Sequence, residues 1–243
     1  MHRPARIAAA ASLVAASLVT LSGCVLLPQK TFDETIAIDE KITAVEFDGD
    51  SGSVTILGVD DLDEVTVYRE LRYRFDLPDE DSHRVREGVL VLEDCGPQCS
   101  VSYTVEVPSR IAVSGATSNG AIDVSNLGDI DVKTSNGRIT LDDIVGEVHA
   151  KTSNGRIEGR ALSDGTVEAE SSNGSIELET DGTADVTAHT SNGSITLTAP
   201  RGDYRIDIET SNGGTSNELG SDPDADIRFD LRTSNGSITV LRG

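Results

Sequence analysis

The chain has 243 residues, of which 42 are Asp or Glu and 20 are Lys or Arg, for a formal charge of −22. That acidity keeps the protein soluble and repels nucleic acid. With aromatics at 3% and no Trp, the chain also lacks the ring platforms on which single strands and sugars stack, so its core must be filled by Ile, Val, Leu and Ala.

Taken in order, the chain begins with His2, Arg3 and Arg6, an apolar run from Ile7 to Thr20, and then Leu21-Ser22-Gly23-Cys24. This pattern predicts a secretory signal peptide over residues 1–23, too short and too rich in Ala and Ser for a settled membrane span. The four closing residues resemble the lipobox of bacterial lipoproteins. The resemblance implies that Cys24 is lipidated and becomes the first residue after cleavage. Removing residues 1–23 takes away Arg3 and Arg6 and brings the charge to −24. Residues 24–41 then read as a lipid-anchored tether, on the extracytoplasmic side of the cell membrane.

Residues 42–110 read as a divergent N-terminal β region. Val45 and Phe47 precede Ser51-Gly52, and Val54 and Ile56 follow it, which predicts a first coil of the kind repeated later. Glu64 to Phe75 alternates, with Val65, Val67, Leu71, Tyr73 and Phe75 on one face, and predicts a strand. Two more strands are expected at Val89–Leu92 and Val101–Val107, separated by Cys95-Gly96-Pro97-Gln98-Cys99. On an exported chain whose Cys24 carries lipid, Cys95 and Cys99 are expected to form a local disulfide that staples the Gly-Pro turn. A redox motif needs two intervening residues rather than three, and a metal site needs further Cys or His nearby. The basic cluster of Arg69, Arg72, Arg74, Arg84 and Arg86 is a candidate patch for an anionic envelope polymer. Its alternative is simple pairing with the surrounding acids.

Residues 111–243 are organised by Thr-Ser-Asn-Gly. It occurs at 117–120, 134–137, 152–155, 190–193, 210–213 and 233–236, with a Ser-Ser-Asn-Gly copy at 171–174. The asparagines Asn119, Asn136, Asn154, Asn173, Asn192, Asn212 and Asn235 are spaced by 17, 18, 19, 19, 20 and 23 residues. Aligned on Asn, the apolar columns include Ile130, Val148, Val167, Val186, Ile206 and Phe229 before the turn. After it come Ile122, Ile139, Ile157, Ile176, Ile195 and Ile238. Between these lie polar columns, Lys133, Lys151, Glu170, His189, Glu209 and Arg232 in one and Asp131, His149, Glu168, Thr187, Asp207 and Asp230 in another, which are expected to face water. Asn-Gly between alternating strands also signals a hairpin. Thr and Ser recur as faithfully as Asn-Gly, however, and identical residues stack on one another only in a parallel array. The expected fold is all-β, a single-chain β-solenoid of the right-handed parallel β-helix-like type, with coils of 18–20 residues and the asparagines in buried structural turns. Seven coils would make a rod of about 30 to 35 Å.

The sixth copy departs from the pattern, since Thr215 stands where Ile is expected. Asp222, Asp224 and Asp226 then alternate as at the start of a calcium loop, but Ile227 stands where such a loop needs Gly and Thr233 where it needs an acid. A solvated loop is the expectation there, with no other metal ligands and no cofactor.

Repeated Ser-Asn-Gly-x-Ile units, together with Val105-Glu106-Val107-Pro108 and Ile111-Ala112-Val113, resemble the bacterial adhesin-like β-solenoid repeat family of unknown function. The resemblance covers Thr43 to Gly243. It implies an exported, envelope-associated solenoid without agreed chemistry. The expected function is a non-enzymatic module that binds an envelope polymer or surface protein, or that organises the envelope. The alternatives are a calcium-binding structural surface protein and a polysaccharide-acting β-helix enzyme. The enzyme reading is opposed by short regular coils, by His149 and His189 standing two coils apart, and by Ser recurring in every copy where a nucleophile would be unique. Each buried CH₂ of an acyl chain is worth about 0.8 kcal/mol, so the anchor is testable. Cys24→Ser is expected to lose a fatty-acid label and release the protein to the medium, whereas retention of both label and membrane fraction refutes lipidation.

Overall fold

The computed structural model describes residues 29–78 and 81–243, and all regular structure among them is β-strand. Cys24 and the residues expected to form a signal peptide lie outside the described residues. Alternating apolar residues give short strands from the start: β1 (Lys30–Ile38), β2 (Ala44–Ser51), β3 (Val54–Val59), β4 (Val65–Tyr73), β5 (His83–Arg86), β6 (Val89–Glu93) and β7 (Cys99–Pro108). The repeats supply pairs on either side of each Asn-Gly: β8 (Ala112–Asn119) and β9 (Ile122–Leu127), β10 (Ile130–Asn136) and β11 (Ile139–Val145), β12 (Val148–Asn154) and β13 (Ile157–Ser163). They continue with β14 (Thr166–Asn173) and β15 (Ile176–Thr180), β16 (Asp185–Asn192) and β17 (Ile195–Ala199), β18 (Tyr204–Asn212) and β19 (Thr215–Asn217), and β20 (Ile227–Asn235) and β21 (Ile238–Arg242).

The members of each pair go to different sheets. The first sheet has the order β1-β4-β7-β3-β9-β11-β13-β15-β17-β21-β19 and the second β18-β20-β16-β14-β12-β10-β8-β2-β6-β5. Neighbouring coils pair in parallel and in register, with Asn136 beside Asn154 and Asn154 beside Asn173. The parallel solenoid is therefore the fold and the hairpin is excluded. A type I′ turn needs positive φ at both central residues, and none of the seven asparagines has it.

The repeated tetrapeptide follows from what the corner demands. At the seven glycines after Asn, a Cβ would lie only 1.8–2.0 Å from a glycine carbonyl oxygen of the adjacent coil, so no other residue fits. That carbonyl is then met by the buried hydroxyl of the Thr column: Thr134 Oγ1 donates to Gly120 O at 3.1 Å, Thr152 to Gly137 at 3.1 Å, and Thr233 to Gly193 at 2.9 Å. The asparagines are exposed, contrary to the expected buried turn. Six of them donate a side-chain N–H to the asparagine Oδ1 of the coil before in space at 3.0–3.1 Å, in the order Asn119, Asn136, Asn154, Asn173, Asn192, Asn235 and Asn212, and Asn119 at the head of the ladder donates to the Asp50 carbonyl at 3.3 Å. Inside the coil the Ile, Val and Leu columns are buried. A third apolar column, Leu127, Ile144 and Leu162, escaped the sequence reading. Asn126, Asp143 and Ala161 just before it take left-handed φ of 49–55°, and that extra residue shifts the alternation by one.

Among the described residues the stack holds nine two-strand coils, against the seven repeat coils and one divergent first coil expected, and is about 40 Å long at the usual strand spacing. The boundary at residue 110 does not divide the architecture, because both sheets run across it. The β2–β3 coil is a true coil but not the outermost. The β6–β7 coil lies outside it, pairing in parallel with β2 and β3, and the Cys95–Cys99 disulfide closes its corner with a Cα–Cα distance of 5.6 Å. Residues 30–38, expected in the tether, form β1, which pairs antiparallel with β4. The alternation there was masked by Glu34 at an inward position, and its partner is Arg69 at the inward position opposite. At the other end the β20–β21 coil slips between β16–β17 and β18–β19. Burial explains this order. Phe229, Leu231, Ile238 and Val240 are fully buried and need apolar neighbours on both sides, while the polar Thr215-Ser216-Asn217 of β19 tolerates the solvent-facing end.

The Thr column is expected to carry more stability than the Ser beside it. Thr152→Val keeps the shape but leaves the Gly137 carbonyl without its donor, at a cost of about 1–3 kcal/mol. Ser153→Ala, at an exposed position of the same turn, is expected to be near neutral in urea denaturation.

Candidate binding face on the second sheet

On the outward face of the second sheet, stacking converts the polar columns into ladders. Because β20 precedes β18 in space, the first ladder runs Lys133, Lys151, Glu170, His189, Arg232, Glu209. The parallel ladder runs Asp131, His149, Glu168, Thr187, Asp230, Asp207. Opposite charges meet along and across them. Lys151 contacts Glu170, His149 Nδ1 lies 2.9 Å from Glu168, and Arg232 reaches Asp230 at 2.7 Å and Glu209 at 3.4 Å. Arg228 bridges Asp207 and Asp230 at 3.2 and 3.4 Å, offsetting the repulsion between those adjacent acids.

Between the charged ladder and the Ser-Asn corner runs an open groove of about 460 Å³. Its lining includes Lys151, Glu170, His189, Arg232 and Glu209 on one side and Ser172, Ser191, Ser234 and Ser211 on the other. The hydrogen bond from Lys151 holds the Glu170 carboxyl below the usual carboxylate range, and the one from Arg232 does the same for Asp230. Within the groove Glu170 is therefore held ionised and paired, and the lining offers charged donors and acceptors beside a row of hydroxyls. Within it the buried His189 Nε2 has no hydrogen-bond partner among the described residues and lies 3.7 Å from the Asp230 carboxylate.

The basic cluster read from the sequence is dispersed by the fold. Arg69 points inward and is buried, donating to Glu34 at 2.5 Å and to Ser82 Oγ at 2.9 Å. Arg72 is outward on β4 and pairs with Glu70 at 2.8 Å, and Arg74 is exposed just beyond that strand. Arg84, which contacts Glu93, and Arg86 belong to β5 in the other sheet. The Arg69 network is joined by Tyr103, whose hydroxyl lies 2.5 Å from the Ser82 carbonyl and 2.7 Å from that of Glu93. Burial pushes the Tyr103 pKa up to about 12. Burial, with Arg69 close by, lowers that of His83. These contacts latch β1, β4 and the segment entering β5 onto the end of the stack, and only the inward charges Glu34 and Arg69 could have signalled them.

Asp222, Asp224 and Asp226 lie in an exposed loop, where the Asp222 carboxylate accepts the backbone N–H of Asp224 at 2.9 Å. The loop covers the open edge of β18. Ser221 Oγ accepts from the Ile206 N–H at 2.9 Å, and the Asp222 N–H donates to the Tyr204 carbonyl at 2.8 Å. Among the described residues no group of three or more His, Cys, Asp or Glu is placed to hold a metal ion.

A depressed carboxyl pKa stabilises the fold above its unfolded value and stops doing so as pH falls through its folded value. Lys151→Met is therefore expected to lower the urea midpoint modestly at neutral pH, because the pair is exposed. The difference from the parent protein should vanish once the pH is well below the ordinary carboxylate range. A difference that persists in acid would assign the effect to packing of the lysine stem instead.

No curated protein matches the chain significantly. Among solved structures, a candidate adhesin from Bacteroides fragilis NCTC 9343 is similar, with 14% identity, coverage of 87% of this chain and 97% of that one, and a TM-score of 0.50. A candidate cell adhesion protein from Clostridium sporogenes ATCC 15579 is 12% identical over 88% of this chain and 100% of its own, with a TM-score of 0.41. A candidate adhesin from Parabacteroides merdae ATCC 43184 is 13% identical over 88% and 97%, with a TM-score of 0.42. At these identities such likeness concerns the fold alone. The profile of the Toastrack DUF4097 family matches residues 41–241, nearly the whole of the two-sheet stack, and the chain belongs to that family.

Proposed function

We propose that this chain is a non-enzymatic, adhesin-like surface module, held at the extracytoplasmic face of the membrane by a lipid on Cys24. In this reading it binds an extended polar polymer of the envelope along the groove from Lys151 to Glu209. The observation that carries the proposal is the direction of the groove. It crosses β12, β14, β16, β20 and β18, so its lining repeats at the strand spacing of about 4.8 Å and forms a track rather than a cup. A linear chain of similar groups can make the same contact on coil after coil, and weak contacts repeated in this way add up through effective concentration. The description of the Bacteroides fragilis neighbour as a candidate adhesin agrees with a surface role.

Pull-down of envelope fractions by residues 29–243 tests the reading. Replacing Lys151 and Arg232 by Ala is expected to weaken capture, more at low salt than at high salt, because screened contacts are already lost at high salt. Replacing Arg72 and Arg74, which lie outside the groove, should leave capture unchanged. Capture that depends on Arg72 and Arg74 instead moves the site to the other sheet. Depolymerisation of a polysaccharide, abolished by one carboxylate substitution in a still-folded protein, overturns the non-enzymatic reading.

A further inference from the structure

Seven Asn-Gly steps in one chain pose a chemical problem, because Asn-Gly is the dipeptide best suited to spontaneous deamidation. The following backbone nitrogen loses its proton and attacks the Asn Cγ, a C–N bond forms, and ammonia leaves. Water then opens the resulting succinimide to aspartate or isoaspartate. One water is consumed and one ammonia released, with no redox change and no catalyst. Glycine favours the reaction because it has no side chain to hinder ring closure.

The stack opposes this step at six of the seven copies. The attacking nitrogen is hydrogen-bonded in each: the N–H groups of Gly120, Gly137, Gly155, Gly174, Gly193 and Gly236 donate to the Asn carbonyl of the next coil at 2.9–3.1 Å. Those glycines are half-buried. Their asparagine side chains are held as well, since each Oδ1 accepts the amide of the next asparagine in the ladder. These bonds have a direction, each glycine giving its proton toward the β18 end. The last coil in space therefore has no neighbour to receive one. Among the described residues the Gly213 N–H has no acceptor and the Asn212 Oδ1 no donor, and Gly213 alone of the seven glycines is exposed.

We infer that Asn212 is a site of spontaneous, non-enzymatic modification to aspartate or isoaspartate, while the other six Asn-Gly steps are protected by the stack. Conversion removes the Asn212 amide that donates to Asn235 Oδ1 at 3.1 Å and to the Ser234 carbonyl at 3.4 Å. It also adds a negative charge to the coil that carries Glu209. The product is an end coil tied less firmly to β20–β21.

Peptide mapping by mass spectrometry tests this on the full-length purified protein, aged in mildly alkaline buffer at physiological temperature. The amide-to-acid mass gain should accumulate at Asn212 about tenfold or more faster than at any other Asn-Gly step, the factor that one net hydrogen bond supplies. Asn212→Gln, which needs a larger and slower ring, should remove the fast site and leave the other six rates unchanged. Hydrogen exchange gives an independent readout, with the Gly213 amide exchanging freely and those of Gly137, Gly155 and Gly174 protected. Equal rates at all seven steps, a fastest rate at an interior step, no reaction at Asn212, or a protected Gly213 amide would each overturn the inference.

Discussion

Everything in this solenoid depends on how closely one coil's backbone approaches the next at the Ser-Asn-Gly corner. A carbonyl oxygen lies where a Cβ would otherwise be, so the column must be glycine, and that carbonyl must find a donor where water cannot reach it. The Thr hydroxyl supplies the donor from inside the coil. The asparagine amide ties the corners together from outside. Three of the four repeated residues are thus fixed by one approach distance, and the exposed serine lies beside the groove. The repeat is a structural requirement, and variation is free only on the outward columns, where the chain places Lys, Glu, His and Arg in turn.

The architecture was legible in the sequence where one residue type recurs at one depth. Apolar columns read from the spacing of Asn are buried as expected, and the pairing of Asn154 with Asn173 follows from it. Two kinds of information were not legible. The depth of a polar residue is not given by its recurrence, so Asn was expected inside and the recurring Thr was given no depth, whereas the structure places Thr inside and Asn outside. Order along the stack is not given by order along the chain either, because every coil has the same register and fits beside any other. What distinguishes the coils is their demand for apolar neighbours, and Thr215 in place of Ile was the visible sign that β18–β19 belongs at an end.

The candidate face was partly legible for the same reason. The polar columns were recognised as outward, but their ionic pairing depends on Arg232 standing between His189 and Glu209 in space, which the chain order hides. The Arg cluster shows the converse. Proximity in sequence suggested a patch, yet alternation turns Arg69 inward while Arg72 and Arg74 stay outside, and the break after β4 sends Arg84 and Arg86 to the other sheet. A charge at an inward strand position tends to require a partner at the facing inward position. Glu34 opposite Arg69 satisfies that requirement, and the residues expected as a tether are recruited into the sheet.

The two ends of the stack solve the edge problem in the same way. An exposed strand edge invites pairing with another chain, and a terminal coil that ends the polypeptide can fray as a free tail. Here neither outermost coil is a chain terminus. The β6–β7 coil is held in sequence between β5 and β8, and β18–β19 between β17 and β20, so each can open only as a loop fixed at both ends. Such a loop gains less entropy on opening than a free tail, because its ends stay together. The outer coils are also partly covered. On one side β4 and β5 pair antiparallel with β7 and β6, and β1 pairs with β4. On the other, Ser221 and Asp222 occupy the backbone groups of Ile206 and Tyr204. Regularity can therefore extend through the middle of the stack while the ends depart from it, and the outward polar ladders of the second sheet run uninterrupted between them.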